Sequence, residues 1–255
     1  KDAGSMTASR FRRWMLLIVL VYVAIELVYM QSRPLVMDEF DGVYDSYRLL
    51  EDVPYRDFRP YKTVLGYYIQ LPAMVGASSV WGRVLALKIE MMTINALMLL
   101  AAAFYCSRFM ARRAILLAAA LLVASTPMLE YSSDIRVDML TAWAGLWSFL
   151  FLVRRQYALA GILCTVSFGI SQKAALYVFA SNALLVAAMF FDDNRRGAIR
   201  GFFVFNAVSA AALALYVAGW ALVAGPAAVV HATFISAVGP ATTHGYAIRW
   251  QFWSQ

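Results

Sequence analysis

The chain has 255 residues, of which 62% are hydrophobic and 15% are charged, whereas soluble domains average about 45–50% apolar and about 25% charged residues. A water-soluble fold of this length cannot bury so much apolar surface, so the composition excludes an ordinary soluble domain and indicates a membrane protein. The formal net charge is +7. The arginines lie in short clusters between apolar runs, a pattern that is typical of membrane topology and argues against a nucleic-acid partner.

The amino-terminal part begins with five residues that we expect to lie outside the fold. Lys1 to Ser5 precede Met6 and are interpreted as a cloning remnant, and residues 1–9 are expected to form the cytoplasmic end. The first apolar run, Phe11 to Met30, contains 20 residues, which as a helix cover about 30 Å, the thickness of the hydrocarbon core. A signal peptide is the rival interpretation, but its apolar region would be shorter and a small-residue cleavage site is lacking. We therefore expect an uncleaved first span.

The later apolar runs are separated by clusters of arginine. The runs are Val64 to Val80, Val84 to Tyr105, Ala114 to Met128, Met139 to Val153, Tyr157 to Ser171, Ala174 to Phe191 and Gly201 to Val223. The clusters are Arg10/Arg12/Arg13, Arg108/Arg112/Arg113, Arg154/Arg155 and Arg195/Arg196/Arg200. Short cytoplasmic loops collect Lys and Arg, so the clusters should share that side, with an even number of spans between neighbours.

Three apolar runs lie between the first two clusters, so one of them should not cross. Val64 to Val80 is the weakest because it contains glycine, proline, glutamine and serine, and we expect a helix that lies in, or re-enters, the outer interface. The predicted fold is an all-α polytopic membrane protein with about seven transmembrane helices and interfacial amphipathic helices in a long first external loop. The external parts are then a first loop 31–83, a second loop 129–138 and a tail 224–255.

The first external loop contains an acidic and aromatic segment, Met37 to Arg48. Its residues Phe40, Tyr44, Tyr47 and Leu50 recur at three- and four-residue steps, which predicts an amphipathic helix lying on the membrane. Asp38 and Glu39 would begin this helix, where the backbone dipole favours carboxylates. By spacing alone, Asp38 is as consistent with a simple helix cap as with a functional carboxylate.

A second carboxylate, Asp138, stands at the mouth of the fourth span. A charge at membrane depth costs about 2.5–3.5 kcal/mol on insertion scales, so Asp138 is expected to face a wet cavity or Arg136. An ordinary solvated loop is the alternative.

External cations form the other half of the candidate site. Arg56, Arg59 and Lys62 precede the interfacial helix, and Lys173 lies between two apolar runs on the same predicted side. Generic contact with lipid headgroups explains the arginines equally well, and Lys173 is also consistent with snorkelling. Together, the carboxylates and cations predict two ligands. One is a lipid phosphate, which the cations would bind, and the other is a group that a carboxylate would deprotonate.

At these residues the sequence resembles the GT-C class of integral membrane glycosyltransferases, which includes protein O-mannosyltransferases, aminoarabinose transferases and oligosaccharyltransferases. The resemblance lies in four segments in chain order: Met37-Asp38-Glu39 followed by Tyr44, Arg59-Pro60-Tyr61-Lys62, Ser133-Asp134-Ile135-Arg136-Val137-Asp138, and Gln172-Lys173. The family's Lys-Pro-Pro is replaced here by Lys62-Thr63-Val64. Residues 10–255 would correspond to the family's amino-terminal module of about seven spans, and the chain would be truncated relative to the family.

The resemblance implies an inverting enzyme of the cell envelope that moves a sugar from a polyprenyl-phosphate-linked donor to a lipid, glycan or protein acceptor. It would lie in the bacterial inner membrane with its active site on the external, periplasmic face. The implied catalytic residues are Asp38, as general base, with Asp138 and Glu39; the implied donor-phosphate ligands are Lys62, Arg59 and Lys173; the implied substrate-positioning residues are Tyr44, Tyr61 and Arg136. No cofactor is certain, and a divalent metal is left open.

A binding or transport protein for polyprenyl-phosphate sugars, without catalysis, is the alternative function. The pair Asp38 and Asp138 is the feature that favours an enzyme. In the tail, His231 and His244 are interpreted as loop residues, and Trp250, Phe252 and Trp253 as an aromatic anchor at the outer interface beside membrane lipid.

The arginine clusters predict which residues share a side of the membrane. A cysteine introduced at Met110 should be labelled from the face that carries Arg12, and one introduced at Asp57 from the opposite face, because an even number of spans separates the clusters. Labelling with a membrane-impermeant thiol reagent, in oriented vesicles, measures this. Labelling of both positions from one face would contradict the seven-span arrangement.

Overall fold

A computed structural model describes residues 6–235, so His244 and the aromatic anchor Trp250, Phe252 and Trp253 lie outside the described residues. Within residues 6–235 the regular elements are helices, and an isolated bridge joins Pro54 and Phe58. The α-helices are α1 Ala8–Ser32, α2 Met37–Arg48, α3 Leu65–Gly76, α4 Val80–Cys106, α5 Arg112–Val123, α6 Thr126–Tyr131, α7 Asp138–Val153, α8 Tyr157–Ile170, α9 Ala175–Phe191, α10 Arg195–Ala224 and α11 Pro226–Val230. A 3-10 turn, Gln172–Ala174, precedes α9, and a π turn, His231–Ile235, follows α11.

The predicted helical class is confirmed, and each predicted apolar run is helical. Two of them are interrupted: Val64 to Val80 forms α3 but is not helical at residues 77–79, and Ala114 to Met128 is divided between α5 and α6. Ser125 is the N-cap of α6 and a proline lies in its first turn. Proline lacks the N–H that a continuous helix would need there, so the break falls in front of it.

Among residues 6–235, four helices are long and apolar enough to cross a membrane: Ala8–Ser32, Val80–Cys106, Gln172–Phe191, which includes the 3-10 turn, and Arg195–Ala224. Helices α7 and α8 are apolar but have 16 and 14 residues, and a span needs about 17 or more. The structure therefore indicates a helical membrane protein, while the count of about seven spans stays a prediction.

The chain divides into two compact units. The first comprises residues 1–44 and 70–139, and the second comprises residues 45–69 and 140–255. In the first unit α1 packs against α4 and α5. Its contacts come from one face of α1, where Phe11, Met15 and Tyr22 are buried. The Phe11 ring meets Phe104 of α4 edge to face.

The second unit is built on the contact between α8 and α10, with α9 packed beside them. Gly161 allows the close approach, because a Cβ there would lie 2.8 Å from the Phe205 carbonyl oxygen. Hydroxyl groups use the short separation: Ser209 Oγ lies 3.2 Å from the Gly161 carbonyl oxygen, and Thr165 donates to the Ser209 carbonyl oxygen at 3.1 Å. Small and hydroxyl residues are the usual means of close helix packing in membranes.

The outer faces of α9 and α10 are strongly apolar. Leu176, Phe179 and Phe191 of α9 are 73%, 74% and 88% exposed, and Leu215 and Leu222 of α10 are 75% and 90% exposed. Apolar surface on this scale is not stable in water and indicates contact with lipid.

The packing at Gly161 predicts a specific defect. Gly161→Val should lower the free energy of unfolding of the detergent-solubilised protein by about 1–3 kcal/mol, and with it the melting temperature, because the new side chain overlaps the α10 backbone. Gly219→Ala in α10 is the control, since nothing lies within 4 Å of its added Cβ, and alanine favours a helix by about 1 kcal/mol. Equal melting temperatures for wild type and Gly161→Val would contradict the proposed contact.

Candidate functional site

Helix α2 presents its aromatic residues outward and its polar residues inward. Phe40, Tyr44 and Tyr47 are 51%, 55% and 42% exposed, whereas Glu39 and Asp45 are buried. A helix in water shows the opposite arrangement, so this one is suited to an apolar medium on its outer side. The predicted amphipathic helix is present, and its place at the membrane interface stays a prediction. Tyr44, predicted to position substrate, lies on the outward stripe.

Gly42 brings α2 against the loop 132–137. A Cβ at Gly42 would lie 2.3 Å from the carbonyl oxygen of Ile135, a separation that real side chains do not reach. Glycine is therefore required at this position for the two backbones to touch. The contact places the acidic start of α2 beside the acidic loop that precedes α7.

Glu39 is the buried anchor of this contact. Its carboxylate accepts the N–H of Val36 at 2.9 Å and the N–H of Ile135 at 3.1 Å. The Nζ of Lys88 in α4 lies 3.3 Å from it, and both side chains are almost fully buried. The Val36 contact is the glutamate half of a capping box, with Val36 at the N-cap position, so Glu39 and not Asp38 supplies the side chain that caps α2. These contacts favour a structural role for Glu39, and its predicted catalytic role stays untested.

Asp38 is left for another partner. The Nη2 of Arg136 lies 2.9 Å from an oxygen of Asp38 and 2.9 Å from an oxygen of Asp138. The side chains of Asp38, Arg136 and Asp138 are 35%, 19% and 24% exposed. One guanidinium therefore joins the carboxylates of the first and second predicted loops, at a surface that a ligand can reach. The expected partnership of Asp138 with Arg136 is present.

A second arginine lies behind this pair. Arg33 Nη1 is 3.0 Å from the fully buried carboxylate of Asp134. The guanidinium groups of Arg33 and Arg136 lie 5.9 Å and 5.3 Å from the centre of the Tyr131 ring, within the range of a cation–π contact. Burial, with the nearby Glu39 charge, raises the pKa of Asp134 to about 6 in spite of the opposing effect of Arg33. Asp134 thus retains its proton to a higher pH than an exposed aspartate.

Other buried polar groups contact the two serines that precede Asp134. Glu26 of α1 is fully buried, and its carboxylate oxygens have no hydrogen-bond partner. It lies near the hydroxyl groups of Ser132 and Ser133. Asn95 of α4 donates to the carbonyl oxygen of Ser132 at 2.6 Å, which fixes the start of the loop against α4.

The predicted cations lie in the second unit. Lys62 is 8% exposed, and its Nζ lies 5.7 Å from the centre of the Tyr61 ring. The Tyr61 N–H donates to Asp45 at 2.7 Å, and the next residue after Lys62, Thr63, donates to the Phe168 carbonyl oxygen at 2.7 Å. The Lys62 segment is therefore bound to the carboxyl-terminal end of α8.

Lys173 follows that same end of α8. It lies in the 3-10 turn, whose N-cap Ser171 accepts its backbone N–H. Its side chain and that of Arg59 are exposed. Arg56 pairs with Asp57 at 2.9 Å. The second unit thus places two of the predicted phosphate ligands, Lys62 and Lys173, at one end of one helix.

Asp38, Glu39, Asp134 and Asp138, with their ion-pair partners, form a carboxylate cluster. Lys88, Arg33 and Glu26, which lie at or near it, were not predicted from the sequence as functional residues. Lys88 and Glu26 do carry a signal, because an ionisable residue inside an apolar run requires a polar partner. No comparable signal is present for Arg33, which lies just beyond the end of α1.

Among residues 6–235, no group of three or more His, Cys, Asp or Glu side chains is arranged to hold a metal ion. No protein-family model matches this chain, and no curated protein or solved structure matches it significantly.

The two adjacent acids of α2 should respond differently to neutralisation. Glu39→Gln should lower the free energy of unfolding by about 3–5 kcal/mol, because it leaves Lys88 buried without its counter-charge. Asp38→Asn should have little effect, since Asp38 is partly exposed. The double variant Glu39→Gln/Lys88→Met should regain part of the loss. Thermal unfolding in detergent measures all three, and a larger loss for Asp38→Asn would contradict these roles.

Proposed function

We propose that this protein is a glycosyltransferase that transfers a sugar from a polyprenyl-phosphate-linked donor to an acceptor at the external face of the membrane. The observation that carries the proposal is the Arg136 guanidinium, which lies 2.9 Å from both Asp38 and Asp138. Inverting glycosyl transfer needs one carboxylate to remove the acceptor proton. The resemblance to the GT-C class assigns that role to the same Asp38.

Asp38 is the general base in this proposal. As the acceptor oxygen forms its bond to the anomeric carbon, its proton passes to Asp38, and the bond between that carbon and the phosphate oxygen breaks. Arg136 fixes the orientation of the Asp38 carboxylate through the ion pair, and Asp138, on the other side of Arg136, orients the sugar or the acceptor. The partial exposure of all three side chains supports their access to a ligand.

Lys62 is the principal ligand of the donor phosphate, with Lys173 and Arg59 as further candidates. The departing polyprenyl phosphate gains negative charge, which a cation in a poorly hydrated position stabilises strongly. The burial of Lys62 and its attachment to α8 through Thr63 support this role. Tyr61, whose ring lies beside Lys62, is suited to contact the donor.

Turnover of a panel of polyprenyl-phosphate sugars by the purified protein tests the reaction. Asp38→Asn should reduce transfer by about 10²–10⁴-fold while donor binding persists, because only the proton acceptor is lost. Asp57→Asn, in the same predicted loop, is the matched control and should retain transfer. If donor binds but neither wild type nor variant transfers sugar, the alternative of a non-catalytic binding or transport protein is favoured.

The role of Lys62 has a separate test. Lys62→Ala should weaken donor binding by roughly ten- to a hundredfold, because a charge-assisted contact contributes about 1.5–3 kcal/mol. The uncharged polyprenol serves as the control ligand, and its binding should not change. Equal weakening of both ligands would indicate lost packing and contradict the phosphate contact.

A further inference from the structure

A groove lies in the second unit where two interhelical turns meet. One turn joins α7 to α8, and the other joins α9 to α10. The groove has a volume of about 480 Å³, and its lining includes Arg155, Tyr157, Leu159, Asn194, Arg200 and Val204. It is at the opposite end of α8 from Lys62 and Lys173, about 21 Å away along a helix of 14 residues. The proposed transfer reaction makes no use of it.

An ion pair holds the two turns together. The Nη2 of Arg155 lies 2.8 Å and 3.2 Å from the two carboxylate oxygens of Asp192. The Arg155 side chain is nevertheless 51% exposed, so its guanidinium has free surface toward the groove. Arg200, on the first turns of α10, is exposed and has no ion pair among the described residues.

The charge around the groove is not balanced by the protein. Five arginines, at positions 154, 155, 195, 196 and 200, accompany two aspartates, Asp192 and Asp193, which leaves an excess of positive charge. The first turn of α10 contains no acidic residue, although helix starts favour negative groups. An anionic ligand between Arg155 and Arg200 would supply the missing charge.

The floor of the groove is apolar. Leu159 of α8 is 47% exposed, and Val204 of α10 lines the same cavity. These helices carry apolar surface along their length, so their ends are expected at the level of the lipid headgroups. Basic pockets between helices at a membrane surface are suited to anionic headgroups. We propose that this groove binds an anionic phospholipid, with its phosphate between Arg155 and Arg200 and an acyl chain along Leu159 and Val204.

Lipid binding by the full-length protein in a neutral detergent tests the proposal. Dioleoyl phosphatidylglycerol, dioleoyl phosphatidylcholine and inorganic phosphate are titrated separately, and native mass spectrometry and the melting temperature are recorded. Phosphatidylglycerol should bind at least about tenfold more tightly than phosphatidylcholine and raise the melting temperature, because the arginines contribute charge-assisted contacts. Inorganic phosphate at the same concentration should not reproduce the shift.

Charge variants locate the bound lipid. Arg200→Gln should weaken phosphatidylglycerol binding about tenfold or more, whereas Arg13→Gln, which removes the same charge from α1, should leave it unchanged. Asp192→Asn should strengthen binding, because it frees Arg155 from its competitor. Equal binding of both lipids, equal loss in Arg13→Gln, or an equal shift with inorganic phosphate would each overturn the proposal.

Discussion

The buried carboxylate of Glu39 is the interaction on which the carboxylate cluster depends. A charge removed from water is stable only when opposite charge and hydrogen-bond donors surround it. Glu39 meets that requirement with Lys88 of α4 and with two backbone N–H groups, one at the start of α2 and one at Ile135. Three distant parts of the sequence are therefore joined at one side chain. Asp38, which is next to Glu39, and Arg136, which is next to Ile135, are brought together as a result. The ion pair and hydrogen bonds of Glu39 offset the free energy of its desolvation. Asp38 and Arg136 are positioned by these contacts and remain partly exposed.

Charges in this protein fall into two physical classes. Glu39, Lys88 and Asp134 are buried and paired, so their contribution is to the position of helices and loops. Asp38, Asp138 and Arg136 share one ion-pair network but keep part of their surface exposed. Buried pairs are poor candidates for proton transfer or ligand exchange, because any change in their charge has to be compensated at once. The difference in exposure is the reason that the proposed chemistry is assigned to the second class.

Much of the fold could be predicted because lipid imposes simple rules on sequence. Apolar runs became helices, and the three- and four-residue steps of Phe40, Tyr44 and Tyr47 predicted the helix α2, although Leu50, the last residue of that pattern, lies beyond its end at Arg48. The break before α6 was harder to predict from the sequence, since a proline within an apolar run can also be accommodated in a bent helix. The choice between Asp38 and Glu39 as cap of α2 could not be made from sequence, because both acids lie within the first turn. The burial of Glu39 distinguishes the two acids. That burial depends on Gly42, Lys88 and Ile135, which lie far apart along the chain.

The outward aromatic face of α2 has a consequence for how this protein should be handled. Phe40, Tyr44 and Tyr47 are 51%, 55% and 42% exposed, so at the predicted interfacial position of α2 the surrounding amphiphile would complete the packing of the helix that carries Asp38. In that position the acyl chains of the bilayer would act as a structural component of the carboxylate cluster. A change of detergent, of acyl-chain length or of bilayer thickness alters the medium that supports α2, even where every covalent bond and every ion pair of the protein is the same. Solubilisation in detergent therefore replaces molecules that would pack against α2, in addition to changing the solvent.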